Sequence, residues 1–188
     1  MKKLFLCLLM LLLLCGCGSK RQKIVSKVDI ATKKVDMSGY QGMSSTDHQF
    51  LEVDLYDVYE FIEKGGSGIF YLGYTSCHNC QDGVRYLNEV AKELGVTVYY
   101  INIDREDYHV SSDRAVYDEV VEKLNPILGT DKDGKKGIFT PDVFQVIDGE
   151  FGDHHVGLVS SMSSVNPSKE SIEELKSVYR KLLEPFQP

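Results

Sequence analysis

This 188-residue sequence predicts a three-layer α/β fold, a central mixed β-sheet flanked by helices. Three observations carry that expectation. Apolar runs rich in β-branched and aromatic residues alternate with helical stripes along the body of the chain, the pattern of a sheet covered by helices. Two strand-like runs flank Asp148-Gly149, a strong hairpin signal, so one edge of the sheet is antiparallel. The composition, 43% hydrophobic and 26% charged, supports a core that needs no disulfide to hold it together.

The first residues stand apart from that body. Lys2 and Lys3 precede an apolar run from Leu4 to Leu14, shorter than the roughly 20 residues a membrane span requires. Residues 1–16 therefore read as a secretory signal. Leu14-Cys15-Gly16-Cys17 resembles a bacterial lipobox. That resemblance implies cleavage before Cys17 and a diacylglyceryl group on its sulfur; the alternative is a plain signal peptide that happens to contain cysteines. Residues 18–36 carry a net charge of +4, against −13 for residues 37–188. Residues 17–48, basic first and then rich in Ser and Gly, are expected to be the lipidated cysteine and a flexible tether, beside anionic lipid or simply solvated. Residues 49–188 are expected to be the folded domain. Its acidic balance argues against a nucleic-acid partner.

Within the body, Phe50 to Val53 predicts a strand. Asp54 caps a helix with Leu55, Val58, Tyr59 and Ile62 on one face, stopped by Gly65-Gly66. Ile69 to Tyr74 predicts a buried strand. Val84, Leu87, Val90, Ala91 and Leu94 form a helical stripe closed by Gly95, and Val96 to Ile103 is the strongest strand signal in the chain. Ser111-Ser112 open a helix with Val116, Val120, Val121, Leu124 and Ile127 inside. Residues 129–137 predict a polar loop. Val143 to Ile147 and Phe151 to Leu158 form the hairpin, and Asn166 to Ser168 open a last helix with Ile172, Leu175, Val178, Tyr179, Leu182 and Leu183 on one face. The order is βαβαβαββα.

Cys77 and Cys80 are the last two cysteines of the chain, and they fall where a buried strand ends and a helix begins. With Cys7 and Cys15 removed and Cys17 lipidated, they would be the only free thiols of a protein outside the cytoplasm, where disulfides persist. A bridge across so short a loop adds little as a staple. Chemistry is the stronger reading. Unpaired N–H groups and about half a positive charge at a helix N-terminus stabilise a thiolate, and can lower a thiol pKa from about 8.5 into the range 3.5–7.5. Cys80, one turn on, is placed to attack a mixed disulfide at Cys77.

Strand, Cys-x-x-Cys, helix, a strand ending in Asn102-Ile103-Asp104, then Thr140-Pro141 before a hairpin and a final helix: from about residue 50 to 185 the chain resembles the thioredoxin family. In particular it is similar to the thioredoxin-like proteins of Gram-positive bacteria grouped with bacteriocin transport accessory proteins. The resemblance implies a Cys77–Cys80 disulfide, with Cys77 as nucleophile and Cys80 as resolving cysteine. It implies a cis peptide bond before Pro141, and a Thr140 backbone that pairs with an extended substrate chain. The expected partners are protein thiols and disulfides, with a redox partner in the membrane; no cofactor is expected. The implied location is the extracytoplasmic face of a Gram-positive cell membrane.

Departures from the family pattern are equally plain. Ser76 stands where a tryptophan is usual. The usual buried aspartate falls on Tyr71 and its lysine partner near Tyr100, so the accustomed proton acceptor for the second cysteine is missing. His78-Asn79 lies between the cysteines; a protonated His78 would favour the thiolate and make the protein more oxidising, whereas a solvent-facing one would do little. Two other readings stay open. Cys77, Cys80, His78, His154 and His155 offer soft ligands for zinc or copper(I), although a closed zinc site takes four ligands and no second Cys-x-x-Cys exists. His154-His155 fits a turn of the last hairpin. A redox-inactive adaptor on the same scaffold is the other reading. Asp131-x-Asp133-Gly134 lacks the later ligands of a calcium loop and reads as a surface turn.

Overall fold

A computed structural model describes residues 23–104, 118, 122–130, 132–134, 136–163 and 166–188. Cys17, the signal segment and most of the helix expected after Ser111 lie outside the described residues; Leu124 and Ile127, from the end of that stripe, are buried.

Six strands form the central sheet, in the spatial order β1-β2-β4-β3-β7-β8. In chain order they are β1 (Lys33–Lys34), β2 (Phe50–Glu52), β3 (Gly68–Gly73), β4 (Val98–Asn102), β7 (Asp142–Ile147) and β8 (Glu150–Val156). Strands β2, β4 and β3 run parallel, while β1, β7 and β8 are antiparallel to their neighbours. The sheet is therefore mixed. Its hairpin turn is made by Asp148 and Gly149, both with positive φ (50° and 82°), as a two-residue turn of matching twist requires. Within residues 129–137, expected as loop, the chain forms two two-residue strands, β5 (Gly129–Thr130) and β6 (Lys136–Gly137).

Strand periodicity divides the core. Ile69 and Tyr71 of β3 face one side, with α2 (His78–Leu94) and α3 (Lys169–Leu183) packed over them. Phe70 and Leu72 face the other, beneath α1 (Leu55–Glu63). All six β3 residues are buried, as expected of a continuous apolar run covered on both faces. Two of these helices begin on caps that the sequence displays: Asp54 accepts from the Tyr56 N–H and Ser168 from the Ser171 N–H. Helix α2 stops at Gly95, in the left-handed conformation at φ 68°.

The stretch upstream of residue 49 behaves differently from a free tether. Lys33–Lys34 add an edge strand to β2, and Met37 and Tyr40 are fully buried in the α2 side of the core. Isolated apolar residues in a Ser/Gly-rich stretch show no periodicity, which is why composition alone assigned them to a linker. Packing begins by residue 24, where the Ile24 N–H donates to the Pro185 carbonyl at 2.9 Å.

Candidate functional site

Cys77 is the N-cap of α2, with extended backbone (φ −77°, ψ 118°), and its sulfur accepts the Cys80 N–H at 3.1 Å. A cap oxygen usually fills this role; here a sulfur does, so the atom that must carry charge as a thiolate already sits on an unpaired helix N–H and at the positive end of the dipole. The two sulfurs are bonded to each other, with the Cα atoms 5.2 Å apart. Cys77 is 7% exposed and Cys80 fully buried. Attack from outside can therefore reach only the first sulfur, while the second lies behind it.

Two further residues expected at the site are found there. The Thr140–Pro141 peptide is cis, and the Thr140 hydroxyl donates to the Cys77 sulfur at 3.4 Å. The Pro141 carbonyl is held by the Gly157 N–H at 2.7 Å, so the loop rests on the end of the hairpin. A parallel β2-β4-β3 unit flanked by an antiparallel hairpin, a disulfide at the N-terminus of the helix after β3, and a cis-proline beside its sulfur are now all in place. The fold is thioredoxin-like.

No family model matches the chain. Solved structures similar to it include thioredoxin O2 of Arabidopsis thaliana in its oxidised state, at 17% identity and a TM-score of 0.45, covering 74% of this chain and 98% of that one. Thioredoxin O1 of the same plant, also oxidised, aligns at 16% identity and a TM-score of 0.43, covering 71% of this chain and 97% of that one.

The buried cluster that holds Cys77 and Cys80 also contains Tyr40, Tyr71 and Tyr100. Tyr71 and Tyr100 stack with ring centroids 5.7 Å apart, and the hydroxyls of Tyr40 and Tyr100 lie 2.9 Å apart. Burial pushes the Tyr71 phenol well above its ordinary value, with the neighbouring Tyr179 and Tyr100 adding to the effect, and burial likewise raises Tyr100. These phenols are neutral at physiological pH, so none of them is a base for the Cys80 proton.

His78 is on the surface, 76% exposed, and its Nε2 lies 3.6 Å from Asp82 Oδ2 one turn along α2. The Asp82 carboxylate itself is only 13% exposed. Sequence reasoning passed over Asp82, although the i, i+4 spacing from His78 was visible. It also passed over Gln81, whose amide ties the loop before Cys77 to the upstream segment. Its Nε2 donates to the Thr75 and Gly39 carbonyls (2.5 and 3.0 Å), and its Oε1 accepts the Gln41 N–H at 2.7 Å.

His154 and His155 are not in a turn but inside β8, where adjacent residues point to opposite faces. His154 Nδ1 lies 3.3 Å from the Asp142 carboxylate, and the His155 ring meets Tyr179 edge-on at 6.2 Å. Among the described residues, no three His, Cys, Asp or Glu side chains gather as a metal site. Asp142, directly after the cis-proline, is 2% exposed. Burial pushes its carboxyl up to about 7, with His154 acting in the opposite direction.

Proposed function

We propose that this protein is an extracytoplasmic, membrane-tethered thiol–disulfide oxidoreductase that acts on protein thiols and disulfides through Cys77 and Cys80. The observation that carries the reading is the capping sulfur: the Cys77 Sγ sits on the Cys80 N–H at the start of α2, with Thr140 and the cis-proline beside it. A structural staple has no need of that placement.

In the reducing direction the Cys77 thiolate attacks one sulfur of a substrate disulfide, and the other substrate sulfur leaves as a thiolate. Cys80, deprotonated, then attacks the Cys77 sulfur and expels the second substrate sulfur. Two electrons have passed to the substrate, and the Cys77–Cys80 disulfide remains. The same steps reversed oxidise a dithiol substrate. The Thr140 backbone presents an edge to the incoming chain, as in strand addition, and the Thr140 hydroxyl supports the Cys77 sulfur. His78 tunes the couple from the surface.

The tether rests on Leu14 to Cys17 and on the basic residues that follow. Two acyl chains or more hold a protein on a bilayer where one does not. No described helix is long and apolar enough to cross a membrane. A lipid anchor on Cys17 places the protein on the outer face of the membrane, in a Gram-positive cell by the resemblance to accessory proteins of that group.

Purified residues 23–188 should reduce insulin with a thiol reductant, or refold a reduced disulfide protein in glutathione. Cys77→Ser should abolish both, and Cys80→Ser should accumulate mixed disulfides at Cys77. Activity that survives Cys77→Ser would refute the assigned nucleophile. Mass spectrometry of the native N-terminus decides the anchor, with an unmodified terminus elsewhere as the contrary result.

A further inference from the structure

We infer that Phe139 selects the substrate, its ring taking a large apolar side chain that stands immediately next to the substrate's reactive cysteine. This rests on the redox reading above, in which the Thr140 backbone pairs with an extended protein chain. Among the described residues, only Val25 and Phe139 are exposed large hydrophobics, and Phe139 is 39% exposed. Phe139 stands one residue before Thr140, whose hydroxyl reaches the Cys77 sulfur, and two before the cis-proline. Ile138 and Thr140 on either side of it are half-buried, and Pro141 is buried. An aromatic ring presents a large, rigid apolar face with few rotatable bonds, so ordering it against a partner costs little entropy. This ring is also held in place. A methyl group added at Gly129 of β5 would overlap it, so the ring rests on bare backbone.

Alternation along the chain sets the position that the ring reads. Thr140 precedes a proline, which favours extended backbone at that residue. Successive side chains of an extended chain point to opposite sides. The Thr140 side chain is on the Cys77 side, where its hydroxyl lies 3.4 Å from the sulfur. Phe139 is therefore on the other side, where its ring meets β5. An added strand alternates in the same way, and residues directly opposite each other share a side. The substrate cysteine must present its sulfur to Cys77, so it shares the Thr140 side. Residues immediately before and after that cysteine turn to the Phe139 side, and residues two away return to the Cys77 side. A large apolar side chain next to the cysteine then removes its own surface and that of the ring from water. The favoured substrate is a chain with leucine, isoleucine, methionine or phenylalanine directly beside its reactive cysteine, not two residues from it.

The test uses the full chain, reduced and purified in detergent, with Gly-Ser peptides whose single cysteine carries nitrothiobenzoate in a mixed disulfide. The Cys77 thiolate attacks the peptide sulfur, and nitrothiobenzoate leaves as a coloured thiolate. Cys80, deprotonated, then attacks the Cys77 sulfur and expels the peptide as a thiolate. Two electrons pass from the dithiol to the mixed disulfide, and the Cys77–Cys80 disulfide forms. One peptide has leucine on both sides of the cysteine, a second has leucines two residues away on both sides, and a third has none. Each rate is divided by that of dithiothreitol with the same peptide, which removes differences in intrinsic reactivity. Wild type should prefer the first peptide to the third by about tenfold or more, the low end of what a hydrophobic contact discriminates, and should treat the second like the third. Phe139→Ser should bring the preference close to one, Phe139→Leu should keep most of it, and Gly129→Ala, which displaces the ring, should lower it. A merely structural defect slows all three peptides together and leaves the preference standing. An equal preference in wild type and Phe139→Ser overturns the inference, as does a preference for leucine two residues away. A wild type that reacts with all three peptides alike overturns it while leaving the redox reading in place. A wild type that releases no colour from any peptide removes both.

Discussion

At the scale of single residues, charge near one sulfur decides what the site does. His78 follows Cys77 directly but is exposed, and Asp82 stands 3.6 Å from its ring. Solvent screens an exposed charge, and the carboxylate offsets it. His78→Ala should therefore lower the Cys77/Cys80 reduction potential by no more than about 30 mV, one tenfold step for a two-electron couple. Asp82→Asn should shift the potential the other way. Glutathione equilibria of the two variants check both signs; an unchanged potential in each makes the pair a bystander.

Asp142 supplies a second residue-scale prediction. Its carboxyl is raised from an ordinary 3.8 to about 7, chiefly by burial. The folded state therefore binds the proton more tightly than the unfolded state does. The contribution is favourable at low pH and is lost as pH rises from about 4 to about 7, at no more than about 1.4 kcal/mol per pH unit. Asp142→Asn removes that slope. Urea melts should find the variant gaining on wild type as pH rises through this window; parallel pH profiles would show that Asp142 titrates normally.

Elements were legible where a period or a cap announced them. The strand before Cys77, the helix after it, the Asp148-Gly149 turn and the Ser168-capped last helix are found where apolar spacing and turn residues place them. The cis-proline beside the disulfide followed from resemblance rather than from any period. What remained hidden was carried by single residues in polar stretches. Tyr40 lies between glycines and serines, yet its buried hydroxyl meets that of Tyr100. Gln81 looked like any polar helix position, although it joins three backbone groups of two segments. Asp142 gave no clearer signal, standing between Pro141 and the apolar run from Val143 to Ile147. Tyr40→Phe should cost about 1–3 kcal/mol, because Tyr100 loses its buried partner. Chemical denaturation measures it, and a loss below about 0.3 kcal/mol would place that hydroxyl pair outside the energetics of the fold.

For the whole molecule, the upstream segment is part of the folded unit. A chain begun at residue 49 would lose β1, Met37 and Tyr40, two of them fully buried side chains. Burying such a side chain contributes about 1.5–3 kcal/mol, so this shortened chain should be at least about 3 kcal/mol less stable than residues 23–188. Equal stability of the two would show that the segment only rests on the surface.

The central claim is that Cys77 and Cys80 exchange electrons rather than fasten the fold. The reduction potential of the pair, measured in residues 23–188 by equilibration with glutathione, tests it most directly. A reversible two-electron couple between roughly −270 and −120 mV, the span of proteins that exchange disulfides, is the predicted result. A potential below about −300 mV, where structural disulfides lie, would contradict it.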